Sequence, residues 1–594
     1  MAATTILARF RAFLTGLPER NKLLILSLAV GLASGLSAVV LTKLIALVRA
    51  FVDGLPTSSY NWQYLISPGV GMLLSLLLVR YVIRDGIGHG VTRVLVAVSK
   101  NESRIKPHNM WSSMAASAVT IGFGGSVGAE APIVLTGAAI GSNFASFMKM
   151  SYRDITLMLG CGAAGAIAGI FKAPLAGVLF TMEILLFNIS MTSLLPLLLS
   201  TVSATVVAYL FNGQAAVFQC SITPFSMGNI PFYIVLGIAA GFGSLYFTRV
   251  TLWLEDRIAH VKAGVYRKWI LCAVALGLLL FLFPSLYGEG YDSLGGLLKE
   301  GYEPSKDASS FLAVALGRGW AIPLFFLLVF LLKVFAMTLT NAGGGVGGTF
   351  GPTLFEGAVL GFMVARALNL LLGGAGISVP EQNFTLVGMA ALMAGVMQAP
   401  MTAIFLIAET TGGYGLLVPL IIAATISYGT TRIFEKYSIY TKRIAKTGEL
   451  LTHDSDQAVL TLLKTADLVR DKYPRIPVDA SLREVIPIIS QSNAAVFPVL
   501  DAEGRFQGLI DIDSVRKIMF RSDLYDKLRV RNIMEQPDAY VYVDEKIEDV
   551  LKKFERTDAW RLPVVTDGMK YLGFMSKSRI LLAYREELKA ISQD

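Results

Sequence analysis

Long apolar runs separated by short polar connections fill the first three quarters of the chain. Runs long enough to cross hydrocarbon as helices, which takes roughly 20 residues, lie at about 22–52, 64–83, 191–211, 230–254, 268–287, 320–338 and 414–431. Between them the stretches 112–150, 155–188, 343–372 and 384–412 are also apolar but are interrupted by glycine and proline. Each interruption leaves backbone groups unpaired, which is costly in hydrocarbon. Four such stretches therefore predict backbone that lines a cavity and not lipid. Beyond Lys446 charges recur every few residues and no apolar run is long enough to span. The pattern predicts a mainly α membrane protein of tilted and broken helices, followed by a small α/β domain.

Both parts repeat internally. Gly125, Gly128, Pro132, Gly137 and Gly141 recur as Gly345, Gly348, Pro352, Gly357 and Gly361, each 220 residues on (345 minus 125). Gly162, Gly169, Ala173, Pro174 and Glu183 recur as Gly388, Gly395, Ala399, Pro400 and Glu409, each 226 residues on (388 minus 162). Corresponding broken segments in two halves mark the substrate site of transporters built from inverted repeats. In the tail Val478, Asp479, Val485, Pro498, Val499 and Gly508 recur 65 residues later (543 minus 478) as Val543, Asp544, Val550, Pro563, Val564 and Gly573. Each tail unit reads as a short strand, a helix, two short strands and a closing helix, and two such units are expected to share one interface. The expected organisation is an N-terminal segment over 1–20, a membrane domain over 21–450 with halves at about 21–260 and 265–450, a linker over 451–465, and tail repeats over 466–523 and 524–590.

Composition agrees with this division. Of 594 residues 54% are hydrophobic and 16% charged, against about 25% charged in soluble proteins. The net charge of +9 sits mostly in connections and tail, so it marks the cytoplasmic side and anionic lipid heads, not nucleic acid. The connections 84–106, 255–268 and 432–443 hold Arg84, Arg93, Lys106, Arg257, Lys268, Arg432 and Arg443, and all three are expected in the cytoplasm with the N-terminus and the tail. A stretch from Leu23 to Val52 is too long for a signal peptide. Cys161, Cys220 and Cys272 make no disulfide framework, and the four histidines have no metal-ligand spacing. A membrane enzyme would need a nucleophile–base pair or a metal cluster, and neither is legible. A carrier of organic solutes would share the broken helices, and a nucleotide-sensing scaffold would account for the tail alone.

The residues that carry chemistry lie in Gly124–Pro132. A glycine run leads into Pro132, which suits the first turn of a helix. The first N–H groups of a helix lack intrahelical partners and carry partial positive charge, so they attract an anion. Glu130 stands at this spot, where its charge can take the place of an anion, and a carboxylate in a membrane segment is a functional candidate. The second half has Gly345–Pro352 in the same register, with Phe350 where the first has Glu130. Two helix N-termini aimed at one site hold an anion with partial charges, which permits fast release. Glu183 and Glu409 are read as braces of helix ends or of the dimer-side packing, and Lys172 and Lys333 as snorkelling side chains.

At this point the sequence resembles the CLC family of chloride channels and proton/chloride exchangers. The resemblance rests on Gly88-His89-Gly90-Val91-Thr92, Gly128-Ala129-Glu130-Ala131-Pro132, Gly348-Thr349-Phe350-Gly351-Pro352, Ala173–Gly177 and Tyr440, in order over roughly 20–450. The tail resembles a CBS-domain pair. The resemblance implies a homodimer with one pore per subunit, Glu130 as the gating glutamate, and His89, Gly90, Gly128, Gly348, Thr349, Phe350 and Tyr440 around the anion. It implies no cofactor and no catalytic residue; chloride is the transported ligand, and protons are a second candidate. The expected location is a plasma membrane of bacterial type.

The departures from the family pattern bear on mechanism. His89 replaces the usual serine, and its ring either faces the anion or caps a loop. Ala129 and Ala131 flank Glu130 in place of Lys/Arg and Gly, and Thr92 and Arg93 replace the usual Pro-Glu. The acid that passes protons to the cytoplasm in coupled exchangers is Ile184 here. The expectation is anion transport gated by voltage or pH through a glutamate, as a channel or loosely coupled, with proton-coupled antiport the alternative. In the tail Asp511, Ser514 and Ser576 fall where CBS pairs hold adenine nucleotides, but neither ribose-binding Asp is kept.

Overall fold

The computed structural model describes residues 18–54, 62–100, 102–185, 191–218, 220, 222–299, 320–446, 463 and 465–592. Nearly all of the expected N-terminal segment and most of the expected linker lie outside the described residues. The chain divides into two compact units, Met1–Leu450 and Leu451–Asp594.

The first unit is helical. Its elements are α1 (Glu19–Asp53), α2 (Trp62–Leu77), α3 (Gly90–Lys100), α4 (Ser112–Gly122), α5 (Glu130–Phe147), α6 (Tyr152–Phe171), α7 (Pro174–Glu183), α8 (Met191–Asn212), α9 (Ile230–Ala259) and α10 (Val265–Leu282). The short α11 (Tyr291–Leu297) is followed by α12 (Ala321–Ala342), α13 (Phe350–Leu372), α14 (Glu381–Met397), α15 (Pro400–Thr410), α16 (Leu417–Phe434) and α17 (Ile439–Lys446). Among the described residues nine helices are long and apolar enough to cross a membrane. The broken runs resolve as expected, with breaks between α4 and α5, before α13, and at the Ala-Pro steps that open α7 and α15. Two segments read as broken, those holding α6 and α13, contain helices of spanning length.

The glycine spacing sets how closely the helices pack. A Cβ on Gly137 would stand 2.2 Å from the carbonyl oxygen of Gly162, and one on Gly357 would stand 2.5 Å from that of Gly388. The α5–α6 and α13–α14 pairs therefore pack backbone to backbone at matching positions of the two halves. Small residues at such contacts are how membrane helices associate without a hydrophobic drive. The core built this way includes Phe350, Phe355, Phe362, Phe384 and Tyr440, all buried.

The second unit follows the 65-residue repeat strand by strand. After α18 (Thr465–Leu468) come β1 (Ile476–Pro477), α19 (Leu482–Ser490), β2 (Val496–Leu500), β3 (Phe506–Asp511) and α20 (Ile512–Arg516). The second repeat gives β4 (Val541–Tyr542), α21 (Ile547–Thr557), β5 (Arg561–Val565), β6 (Tyr571–Ser576) and α22 (Lys577–Ser592). In each repeat the first strand pairs parallel with the second, and the second antiparallel with the third. Val499 faces Gly508 as Val564 faces Gly573. Leu500 and Phe506 from one repeat pack with Val565, Tyr571 and Phe574 from the other. Phe506 and Tyr571 N–H groups donate to the carbonyls of Met569 and Gly504 (2.9 and 3.2 Å).

Candidate anion site

The two glycine loops meet and pair. Gly128 N–H donates to the Gly348 carbonyl (3.0 Å), and Gly348 N–H to the Gly128 carbonyl (2.7 Å). Ser126 N–H donates to the Thr340 hydroxyl (3.2 Å), and Val346 N–H to the Thr120 hydroxyl (3.0 Å), the same bond in each half. These reciprocal bonds satisfy backbone that glycine breaks would otherwise leave bare inside the membrane part. They also set the N-termini of α5 and α13 side by side.

Glu130 is the first residue of α5 and is buried. Its Oε2 accepts the N–H of Gly351, the second residue of α13 (3.1 Å), and its Oε1 accepts the Tyr291 hydroxyl (2.6 Å). The carboxylate thus reaches across to the N-terminus of the other half's helix. It holds a position that partial positive charge makes attractive to an anion. Space there is minimal: a Cβ on Gly128 would stand 2.1 Å from Glu130 Oε2. Gly90, which opens α3, leaves equally little, since its Cβ would stand 2.1 Å from the Ala131 carbonyl oxygen. Beside this, the Ala129 N–H donates to Glu289 (3.0 Å).

The other expected residues divide into two groups. Thr349 immediately precedes α13, and its hydroxyl donates to that of Tyr440 on α17 (3.4 Å). Phe350 and Tyr440 are each 1% exposed, and Phe350 packs against Phe171 and Phe180 with ring centres 5.6 and 6.3 Å away. These residues share the ground around Glu130 with Gly128 and Gly348. His89 lies at the edge: it lines a cavity of about 420 Å³ with Glu255, Lys268, Asn341 and Gly345, its Nε2 3.5 Å from Glu255 Oε1. On the same connection Asp85 binds Lys106, His108 and Arg93 (3.0, 3.1 and 3.4 Å). Burial pushes the Asp85 carboxyl up, but these hydrogen bonds and charges outweigh it and hold the group at about 2.

Glu183 and Glu409 form a second reciprocal pair. Glu183, ending α7, accepts the N–H groups of Met401 and Thr402 at the start of α15 (3.0 and 2.7 Å) and the Thr402 hydroxyl (2.7 Å). Glu409, in the last turn of α15, accepts the N–H groups of Leu175 and Ala176 at the start of α7 (3.1 and 2.9 Å). They brace helix ends, each in the opposite half. Lys172 reaches out to the carbonyls of Asn212 and Ala215 (3.3 and 2.9 Å). Lys333 corrects the sequence reading. It does not snorkel but is fully buried, donating to the carbonyls of Leu286 and Gly288 (3.3 and 3.0 Å) over the Phe355 ring. Glu356 is buried near it, without a hydrogen-bond partner among the described residues. Tyr291, Glu289 and Lys333 lie outside the glycine repeats, and Glu356 lies inside the second block but matches Thr136 in the first, so the repeat carries no signal for any of them.

In the tail, each expected nucleotide residue is engaged locally. Asp511 accepts the Asp513 N–H (2.8 Å), Ser514 donates to Glu535 (2.7 Å), and Ser576 accepts the Arg579 N–H (3.2 Å).

Paired helix N-termini inside a bundle of repeated, broken membrane helices define a membrane anion-transport protein. The chain belongs to the voltage gated chloride channel family, whose model matches residues 70–432, and carries a pair of CBS domains at 466–521 and 530–586. It is 29% identical over 390 residues to a ClcB-like chloride channel protein of Ralstonia nicotianae, covering 65% of this chain and 86% of the relative. It is 26% identical over 464 residues to the H(+)/Cl(-) exchange transporter ClcA of Salmonella arizonae, covering 74% of this chain and 92% of the relative. The fold is shared with a slow cyanobacterial Cl-/H+ antiporter (22% identity, TM-score 0.61, 73% of this chain and 98% of that one). A eukaryotic CLC transporter also shares it (18% identity, TM-score 0.61, 94% and 97%).

Proposed function

We propose that the chain carries chloride or a similar small anion through the membrane, with Glu130 as the gate, as a channel or a loosely coupled transporter. One observation carries the reading: the Glu130 carboxylate accepts the Gly351 N–H at the mouth of α13, so carboxylate and anion compete for one place. Gly128, Gly348, Thr349, Phe350 and Tyr440 shape that place, and His89 and Gly90 belong to its approach. Loose coupling follows from the inner side. Ile184 cannot hold a proton, and the neighbouring Glu183 is engaged with three donors of α15. Crossing apolar ground without a relay is costly.

A second reading, proton-coupled antiport, is favoured by the Tyr291 hydroxyl on Glu130 and by the relatives named as exchange transporters. The basic connections belong on the cytoplasmic side of a bacterial-type plasma membrane, facing anionic lipid, in a homodimer. The CBS pair is a structural or weakly regulatory tail, with an adenine nucleotide at Asp511, Ser514 and Ser576 as its candidate ligand.

The reversal potential of purified protein under crossed chloride and pH gradients tests the mode. A potential set by chloride alone supports the loosely coupled reading. A fixed stoichiometric shift with pH, abolished in Glu130→Gln, supports antiport.

A further inference from the structure

The cavity beside His89 leads to a charge pair that no repeat or motif marks. Glu255 sits on α9 and Arg443 on α17, three residues after Tyr440, so Arg443 shares that residue's face of the helix. The guanidinium holds the carboxylate through two bonds, Nε to Oε2 (3.2 Å) and Nη2 to Oε1 (2.5 Å). The Arg443 side chain is only 8% exposed, and its Nη1 is buried without a hydrogen-bond partner among the described residues. A buried guanidinium donor left unpaired costs free energy, and an anion or water is what satisfies it. The same Glu255 Oε1 stands 3.5 Å from His89 Nε2, and Lys268 of α10 lines the cavity with both. Tyr440 in turn meets Thr349 at the N-terminus of α13.

We propose that Glu255 and Arg443 form a compensated charge pair that sets how tightly the anion is held at the approach to the site. The proposal rests on the anion-transport reading above. A bare guanidinium would hold an anion too long for fast passage. Its neutralisation by Glu255 leaves the Nη1 amino group to guide the anion at low net charge. Glu435, in the connection between α16 and α17, also bridges α9 and α17, binding Arg249 of α9 (2.7 Å) and Lys442 of α17 (2.5 Å). A purely mechanical staple there would therefore survive loss of the Glu255–Arg443 bond.

The test is chloride binding to the full-length protein in detergent, by titration calorimetry, with elution from size-exclusion chromatography as the check on folding. Glu255→Gln uncovers the cation and is expected to tighten chloride binding on the order of tenfold. Arg443→Gln uncovers the carboxylate and should weaken it by a similar factor. The double variant Glu255→Gln/Arg443→Gln carries neither charge and lacks the guiding Nη1 group, so its affinity should fall between those of the two single variants and within about tenfold of the wild type. Opposite signs in the single variants sustain the proposal, because loss of a staple would move both the same way. Binding unchanged in monodisperse single variants overturns it, as does weakening in both. If the single variants fail to fold, a monodisperse double variant that binds chloride more than tenfold differently from the wild type also overturns it. Absence of chloride binding by the wild type itself would count against the transport reading, a separate result.

Discussion

His89 stands where the resemblance leads one to expect a serine, and its imidazole lies within 3.5 Å of Glu255. A ring at the cavity wall narrows the approach and offers a donor to an anion, which a serine would do with less bulk. His89→Ser is expected to change the order of anion permeabilities, read from bi-ionic potentials, by several-fold between chloride and a larger halide. Identical permeability orders would make His89 a loop residue only. The residues around Glu130 were legible because their glycines and prolines recur at 220 and because a carboxylate in such a run is rare. Tyr291, Glu289, Glu255 and Arg443 were not. They sit in polar connections or at helix ends, where tyrosine and charge are ordinary, and their partners are 160 or more residues away, as in the Tyr291–Glu130 and Arg443–Glu255 bonds.

At the level of elements, the fold depends on helices that end inside the protein. The starts of α7 and α15 expose N–H groups that water would satisfy elsewhere. Glu409 and Glu183 satisfy them, each across the boundary between halves. Glu409→Gln removes the negative charge from the N-terminus of α7 and weakens two bonds, at a cost of about 1 kcal/mol by analogy with helix caps. Glu183→Gln should cost more, since Glu183 also accepts the Thr402 hydroxyl. Thermal unfolding in detergent should show both midpoints lowered, Glu183→Gln more than Glu409→Gln; wild-type midpoints would remove the capping account. The sequence showed these glutamates recurring at 226. It gave no sign that each would cap the other's helix, because crossing of the repeats is a property of the packed pair.

For the whole molecule, the two units differ in what builds them. The first is joined by glycine contacts between helices, the second by two three-stranded sheets that share an apolar seam. Each has its own core, which argues for separate stability. A chain ending after Lys446 is expected to remain monodisperse and to carry chloride, with gating altered. Loss of soluble, folded protein on that truncation would show that the tail holds the membrane part together. The division between membrane part and tail was legible from where charge begins to recur, and the tail's strand order from its 65-residue repeat. Which broken stretches still contain helices of spanning length was not, since a glycine inside a helix and a glycine at a break look alike in one sequence.

The Glu130 carboxylate and the transported anion are expected to compete for the mouth of α13. The decisive measurement is chloride efflux from protein-loaded vesicles, followed with a chloride electrode across a range of pH for the wild type and Glu130→Ala. Wild-type efflux should rise as pH falls, because a protonated carboxyl gives up its hold on the Gly351 N–H, and Glu130→Ala efflux should be faster and independent of pH. Efflux in Glu130→Ala that matches the wild type in both rate and pH response would contradict it.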